Sequence, residues 1–154
     1  MKILVFSDSH SERELMKSII SAQQPQMVLH LGDNTGDFKA LKKQFPDIDI
    51  RGVRGNCDLR SNVEEGLIFI IEGKKVYMTH GHLYDVKIGY DRIYFAALER
   101  QVDILLFGHT HKAYKDIIRG IQVLNPGTIG KGRVRSYGII EINDGVIVTK
   151  LIQV

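Results

Sequence analysis

Lys2-Ile3-Leu4-Val5-Phe6-Ser7-Asp8-Ser9-His10-Ser11-Glu12-Arg13-Glu14 holds one unit of the fold and one piece of its chemistry. Residues 2–6 form an apolar run without alternation, which predicts a strand covered on both faces. Ser11 and Glu14 have the spacing of a capping box, and Leu15, Ile19 and Ala22 follow at helical intervals until Pro25. Between strand and helix stand a carboxylate, Asp8, and an imidazole, His10. In an extended loop alternate side chains share a side, so the two are expected to reach a common point. The same residues also read as a turn leading into a helix cap.

The pattern repeats outward from this unit. Met27 to Leu31 is a second buried strand ending at Gly32-Asp33, and Phe38, Leu41 and Phe45 mark a helix stopped by Pro46. Residues 48–53 are a third strand, leading to Gly55-Asn56-Cys57-Asp58. Runs 67–71 and 75–79 are joined by the hairpin connection Glu72-Gly73-Lys74 and lead to His80-Gly81-His82. A helix over about Tyr90–Arg100 places Ile93, Ala97 and Leu98 on one side, and the strand 103–107 runs into Gly108-His109-Thr110-His111. Strands 114–118, 121–124, 136–142 and 146–152 complete the chain, with turns at Arg119-Gly120 and Asn143-Asp144-Gly145. Alternating β and α followed by a run of β predicts a layered α/β protein with two packed sheets. No internal repeat, low-complexity stretch or linker divides it, so residues 1–154 are expected to form one domain.

Composition narrows the class. At 154 residues, 44% hydrophobic and 25% charged, the chain has the balance of a soluble globular protein with a full core. A net charge of +3, with Lys and Arg spread along the chain, gives no strong signal for nucleic-acid binding. The lone cysteine, Cys57, suits a reducing compartment. The apolar run before Asp8 is shorter than a signal-peptide core, and no run reaches membrane-spanning length. A cytoplasmic protein with no membrane partner is the expectation.

Five strand ends carry residue types that bind divalent metals: Asp8 and His10, Asp33, Asn56, His80, and His109 with His111. Seven such groups at one edge of a sheet would suffice for two ions, and strand carboxyl ends are where ligands gather in layered α/β folds. Gly32-Asp33 and Gly55-Asn56 also read as plain turns. His80 beside Gly81 has no evident structural task, and the His-x-His at 109–111 is the strongest local signal. His30, inside the run 27–31, reads as a core histidine. His82 is placed near the site without being counted among the ligands.

This ordered set of motifs resembles that of the calcineurin-like metallophosphoesterase superfamily over nearly the whole chain. The small size, the cysteine in the third motif and Asn125-Pro126-Gly127-Thr128 look like its compact YfcE-type phosphodiesterases. The resemblance implies a four-layer sandwich of two packed mixed β-sheets flanked by helices. It also implies a first metal held by Asp8, His10, His111 and Asp33. Asp33 would bridge to a second, completed by Asn56, His80 and His109. Mn2+ is the foremost expectation, with Ni2+, Zn2+, Fe2+ and Co2+ as alternatives for imidazole and oxygen ligands without thiolate. A hydroxide bridging the two ions would attack phosphorus, with Asp33, Asn56 and His80 as the catalytic side chains around it. The implied function is hydrolysis of a small phosphodiester, in a protein of a family that often forms homo-oligomers.

Many relatives carry His where Cys57 stands, in the position of proton donor to the leaving group. A thiol is a poorer donor near neutral pH, so diesters with good leaving groups are expected to be favoured, or His82 or a water to serve as acid. Thiol catalysis by Cys57 ranks last. Hydrolysis of a phosphomonoester, nucleotide or phosphoprotein is the alternative reaction. A non-catalytic scaffold subunit of the same fold is the alternative class, disfavoured because all seven ligand positions hold competent residues. The glycine-rich, basic stretch 125–133 reads either as a phosphate cradle, with Lys131 and Arg133, or as a flexible connection between strands.

Overall fold

Strands buried on both faces need two partners each, and the apolar runs of this chain find them by stacking. A computed structural model describes all residues, 1–154. The first part runs β1 (Lys2–Phe6), α1 (Arg13–Gln23), β2 (Met27–His30), α2 (Thr35–Gln44) and β3 (Asp49–Gly52). The hairpin β4 (Gly66–Ile71) and β5 (Lys74–Thr79) follows, then a 3-10 turn (His82–Tyr84), α3 (Asp91–Glu99) and β6 (Ile104–Leu106). The strands β7 (Ala113–Ile118), β8 (Ile121–Pro126), β9 (Ser136–Asn143) and β10 (Val146–Gln153) close the chain.

Two mixed five-stranded sheets result, ordered β10-β9-β1-β2-β3 and β4-β5-β6-β8-β7. β1, β2 and β3 are parallel neighbours, as are β5, β6 and β8. The antiparallel strands lie outside these parallel cores. Side-chain alternation along β1 divides the interior: Ile3 and Val5 face the second sheet and meet Val76, Met78, Ile104 and Leu106. Leu4 and Phe6 face the other way, under Met16 and Ile20 of α1 and Phe38 and Leu41 of α2. Beyond the second sheet, Tyr77, Leu105 and Val123 pack under Ile93 and Ala97 of α3. The four layers expected are therefore present. Each fully buried Leu, Ile or Phe contributes roughly 1.5–3 kcal/mol of burial energy, so both faces of β1 are firmly fixed. No helix is long and apolar enough to cross a membrane.

Two local expectations are corrected. The capping box does not form: α1 starts at Arg13, with Glu12 at the N-cap and no side-chain cap bond. Ser11 instead donates its backbone N–H to the buried Asp37 carboxylate (2.9 Å), a long-range charged acceptor that outcompetes a local cap. The stretch 125–133 is not simply a flexible connection. Asn125 and Pro126 end β8, and Thr128 and Ile129 are buried. The Thr128 hydroxyl (2.9 Å) and the Gly130 N–H (3.1 Å) both donate to the Asp8 carbonyl. Its first half buttresses the Asp8 loop, and only Lys131 to Val134 are exposed.

Candidate metal centre

The motif loops leave the carboxyl ends of β1, β2, β3, β5 and β6 and knit to one another. Asp8 donates its N–H to the Gly32 carbonyl, and Gly108 donates to the His80 carbonyl, both at 3.0 Å. The His109 N–H donates to Asp8 Oδ2 (3.2 Å), joining the end of the second sheet to that of the first. Close approach sets the residue type at Gly108, where a Cβ would run into the Ser7 side chain and lie 3.1 Å from Asp8 Oδ2.

Asp8, His10, Asp33, His109 and His111 all have φ between 42° and 67°. The sequence reading brought Asp8 and His10 together through an extended loop. The structure does so through left-handed turns, a conformation uncommon outside glycine and concentrated at functional sites.

The side chains fall into two groups, Asp8-His10-His111 and Asp33-His80-His109, in each of which the candidate ligand atoms lie within 4.8 Å of one another. Asn56 Oδ1 and His109 Nδ1 are both 3.1 Å from His80 Nε2. Asp33 Oδ2 lies 3.5 Å and Asp8 Oδ1 3.9 Å from that same nitrogen, so the two groups share a wall. All seven sequence-predicted residues are therefore brought together.

The donor set fits a cation. His80 Nδ1 is 2.7 Å from the Leu31 carbonyl, which can only accept, so Nδ1 carries the proton and the Nε2 lone pair faces the centre in the neutral ring. Asp8 Oδ1 is buried without a hydrogen-bond donor. His111 Nε2 stands 3.0 Å from it, but outside hydrogen-bond alignment. These donor and acceptor atoms converge, with neighbouring atoms 3.0–3.9 Å apart.

The two carboxylates are held in the form a cation needs, the histidines less uniformly so. Burial opposes ionisation of Asp33, but hydrogen bonding and charge from His80, with Cys57, hold its pKa below the usual carboxylate range. Asp8 is likewise lowered, against burial, by His111, His80 and Ser7. Burial, then the charges of His80 and Lys87, hold His109 neutral with a pKa of about 4. Burial disfavours the charged form of His80, yet Asp33, Asp8 and Leu31 outweigh it and raise the pKa. A divalent ion requires ionised carboxylates and neutral imidazoles. The carboxylates and His109 meet this, whereas His111, raised by its contact with Asp8, and His80 would each give up a proton on binding.

A second set of side chains holds the Asp8–His10 loop. His30 is fully buried, and burial depresses its pKa to about 4. Gly32 donates to its Nδ1 (3.3 Å), so Nε2–H donates to Ser9 Oγ (3.0 Å). Ser9 in turn donates to Asp37 Oδ2 (2.6 Å), and Asp37 Oδ1 pairs with Arg13 Nε (3.1 Å). The core reading of His30 stands. Asp37 was not singled out from the sequence, although its place four residues before the apolar Leu41 puts it on the inner face of α2. Asp58, read only as part of a turn, accepts from the N–H groups of Asn34 and Thr35 at the start of α2 and from Gly55. Lys87, another residue not singled out, forms no ion pair, and the contact with Asp8 raises the pKa of His111 despite burial and the Lys87 charge.

Cys57 donates its N–H to Asp33 Oδ1 (3.0 Å) while its residue is exposed. Burial and then Asp33 raise the thiol pKa, so it is not primed as a thiolate. The His82 ring lies 5.4 Å from that of His80 and outside both groups. Burial and then His80 lower its pKa.

A family model described as the calcineurin-like phosphoesterase superfamily domain matches residues 1–145. The probable metallophosphoesterase YsnB of Bacillus subtilis is 32% identical, over 96% of this chain and 89% of its own length. Phosphodiesterase YfcE of Escherichia coli is 28% identical, over 98% and 92%. The crystal structure of a predicted phosphoesterase from Streptococcus pneumoniae superposes with a TM-score of 0.82 at 28% identity, covering 99% of this chain and 88% of that one. Vps29 of Entamoeba histolytica, crystallised with zinc, has a TM-score of 0.78 at 22% identity, with 99% of each chain covered, a likeness of fold.

Proposed function

For a chain that belongs to the calcineurin-like phosphoesterase superfamily, we propose metal-dependent hydrolysis of a small phosphodiester at the two facing ligand groups. The observation that carries this reading is the shared wall, with His80 Nε2 within 3.9 Å of both Asp8 and Asp33. In it, Asp8, His10, His111 and Asp33 would hold one ion, and Asp33, Asn56, His80 and His109 would hold another, with Mn2+ foremost. Bound ions supply a water of lowered pKa and neutralise phosphate oxygens. The protein's own part is positioning. Leu31 fixes the His80 tautomer, Cys57 N–H orients Asp33, and the Thr128–Gly130 segment pins the Asp8 backbone.

A scaffold role is disfavoured by the completeness of both ligand groups. The test is hydrolysis of bis-p-nitrophenyl phosphate with and without Mn2+. Turnover that needs the ion supports the reading. Full activity in chelator, or none with any divalent metal, overturns it.

Leaving-group preference follows from Cys57. Its raised pKa keeps the thiol protonated, but a thiol is a weak proton donor to an alkoxide. Cys57→His is expected to raise alkyl-diester turnover relative to aryl-diester turnover by roughly a hundredfold, the usual worth of a positioned general acid. An unchanged ratio removes the missing-acid explanation.

A further inference from the structure

A groove of about 520 Å³ adjoins the candidate metal centre on its Cys57 side. Thr35, Lys39, Arg60, Ser61 and Asn62 line it together with Cys57, whose N–H on Asp33 ties the groove to the ligand groups. Lys39 and Arg60 are exposed, and neither makes an ion pair with any carboxylate of the chain. The one acid in the wall, Asp58, is engaged: its two oxygens accept the N–H groups of Asn34, Thr35 and Gly55. The neighbouring depression, beyond Ser61 and Asn62, holds Glu64 and Glu65, and there Arg54 is paired with Glu65 (2.6 Å). Of these two depressions, only the one beside Cys57 is lined by cations without a carboxylate partner. Leu59, 83% exposed, adds an apolar patch at its lip.

We infer that this groove seats one ester arm of the substrate and selects an arm bearing a second anionic group, a phosphate or a carboxylate. The inference rests on the phosphodiesterase reading and names its substrate class. With phosphorus between the two ligand groups, an arm that leaves past Cys57 enters the groove. There Lys39 and Arg60 face its anion, Ser61 and Asn62 offer neutral donors, and Leu59 covers its stem. A neutral arm leaves both cations without a partner.

The experiment compares bis(4-carboxyphenyl) phosphate with bis-p-nitrophenyl phosphate in the Mn2+-loaded protein and in a Lys39→Ala/Arg60→Ala double variant. Comparing the ratio of the two kcat/KM values between wild type and variant cancels the different acidities of the leaving groups. Two ion pairs near a surface predict that the ratio, carboxylated over nitrated, falls about fivefold or more in the double variant. The loss should shrink at high salt. An unchanged ratio overturns the inference. If the loaded wild type hydrolyses neither diester, the phosphodiesterase reading has failed, and the groove is judged by binding. Amide resonances of Thr35, Arg60 and Ser61 in Zn2+-loaded protein are then expected to shift with bis(4-carboxyphenyl) phosphate and much less with diphenyl phosphate. Equal shifts with the two ligands reject the anion-selective groove.

Discussion

Asp33→Ala is expected to lower metal-dependent diester hydrolysis by at least about a thousandfold. Loss of a single preorganised electrostatic group commonly lowers kcat by about 10²–10³, and in the proposed reading Asp33 would serve both ions. Its Oδ2 faces His80 at 3.5 Å, and its Oδ1 is held by Cys57 N–H at 3.0 Å. Asp33 is the one carboxylate of the His80–His109 group, and that group meets the Asp8 group through His80. Asp33→Asn separates charge from shape, because the amide keeps the size and one acceptor oxygen but not the negative charge. It is expected to lose activity to a similar extent, with the near-UV circular dichroism of the wild type retained. Either variant keeping more than a tenth of wild-type kcat/KM contradicts a bridging role.

Asp37→Ala is expected to cost about 3 kcal/mol of stability in the metal-free protein, for a different reason. The Asp37 carboxylate accepts from Ser9 Oγ (2.6 Å) and the Ser11 N–H (2.9 Å) and pairs with Arg13 (3.1 Å), while being almost wholly buried. Removing it leaves the buried Ser9 hydroxyl only a long contact to the Asp33 carbonyl (3.5 Å), at a cost of about 1–3 kcal/mol. It also releases the N–H of the exposed Ser11 to water, at a smaller cost. The Arg13 partner adds less, because its side chain is 50% exposed and screened by water. In a chain of this size the loss corresponds to a drop in Tm of roughly 6–12 °C. Urea denaturation measures it directly. Metal affinity should weaken as well, because Ser9 lies between Asp8 and His10. A denaturation midpoint equal to wild type would show that the His30–Ser9–Asp37 chain does not hold the loop. Asp37→Asn, which keeps one acceptor oxygen, should recover part of the stability.

What could be read from the sequence is what local forces decide. The runs 2–6 and 27–31 had to be buried strands because an apolar segment without alternation has no solvent face, and Pro25 and Pro46 end the helical pattern near where α1 and α2 stop. The seven candidate ligands were legible because each follows a strand, and strand ends at one edge of a layered fold converge. What stayed hidden depends on partners distant in the chain. Ser11 looked like a helix cap until Asp37, 26 residues on, took its N–H. The stretch 125–133 reads as either a phosphate cradle or a flexible connection because the partners of its Thr128 to Gly130, the Ser7 and Asp8 carbonyls, lie more than a hundred residues earlier. The left-handed turns at Asp8 and His10 were invisible too, since nothing in their residue types demands φ above zero. Lys39 and Arg60 are ordinary surface cations in the sequence and become a pair only when α2 and the loop after β3 wall the same groove.

The central claim is that two ligand groups meeting at Asp33 hold a pair of ions. Electron paramagnetic resonance of the protein titrated with Mn2+ tests it most directly. The prediction is two ions bound per chain with the multiline signal of an exchange-coupled pair, and loss of that coupling in Asp33→Ala. A single uncoupled Mn2+ per chain, or none, would contradict it.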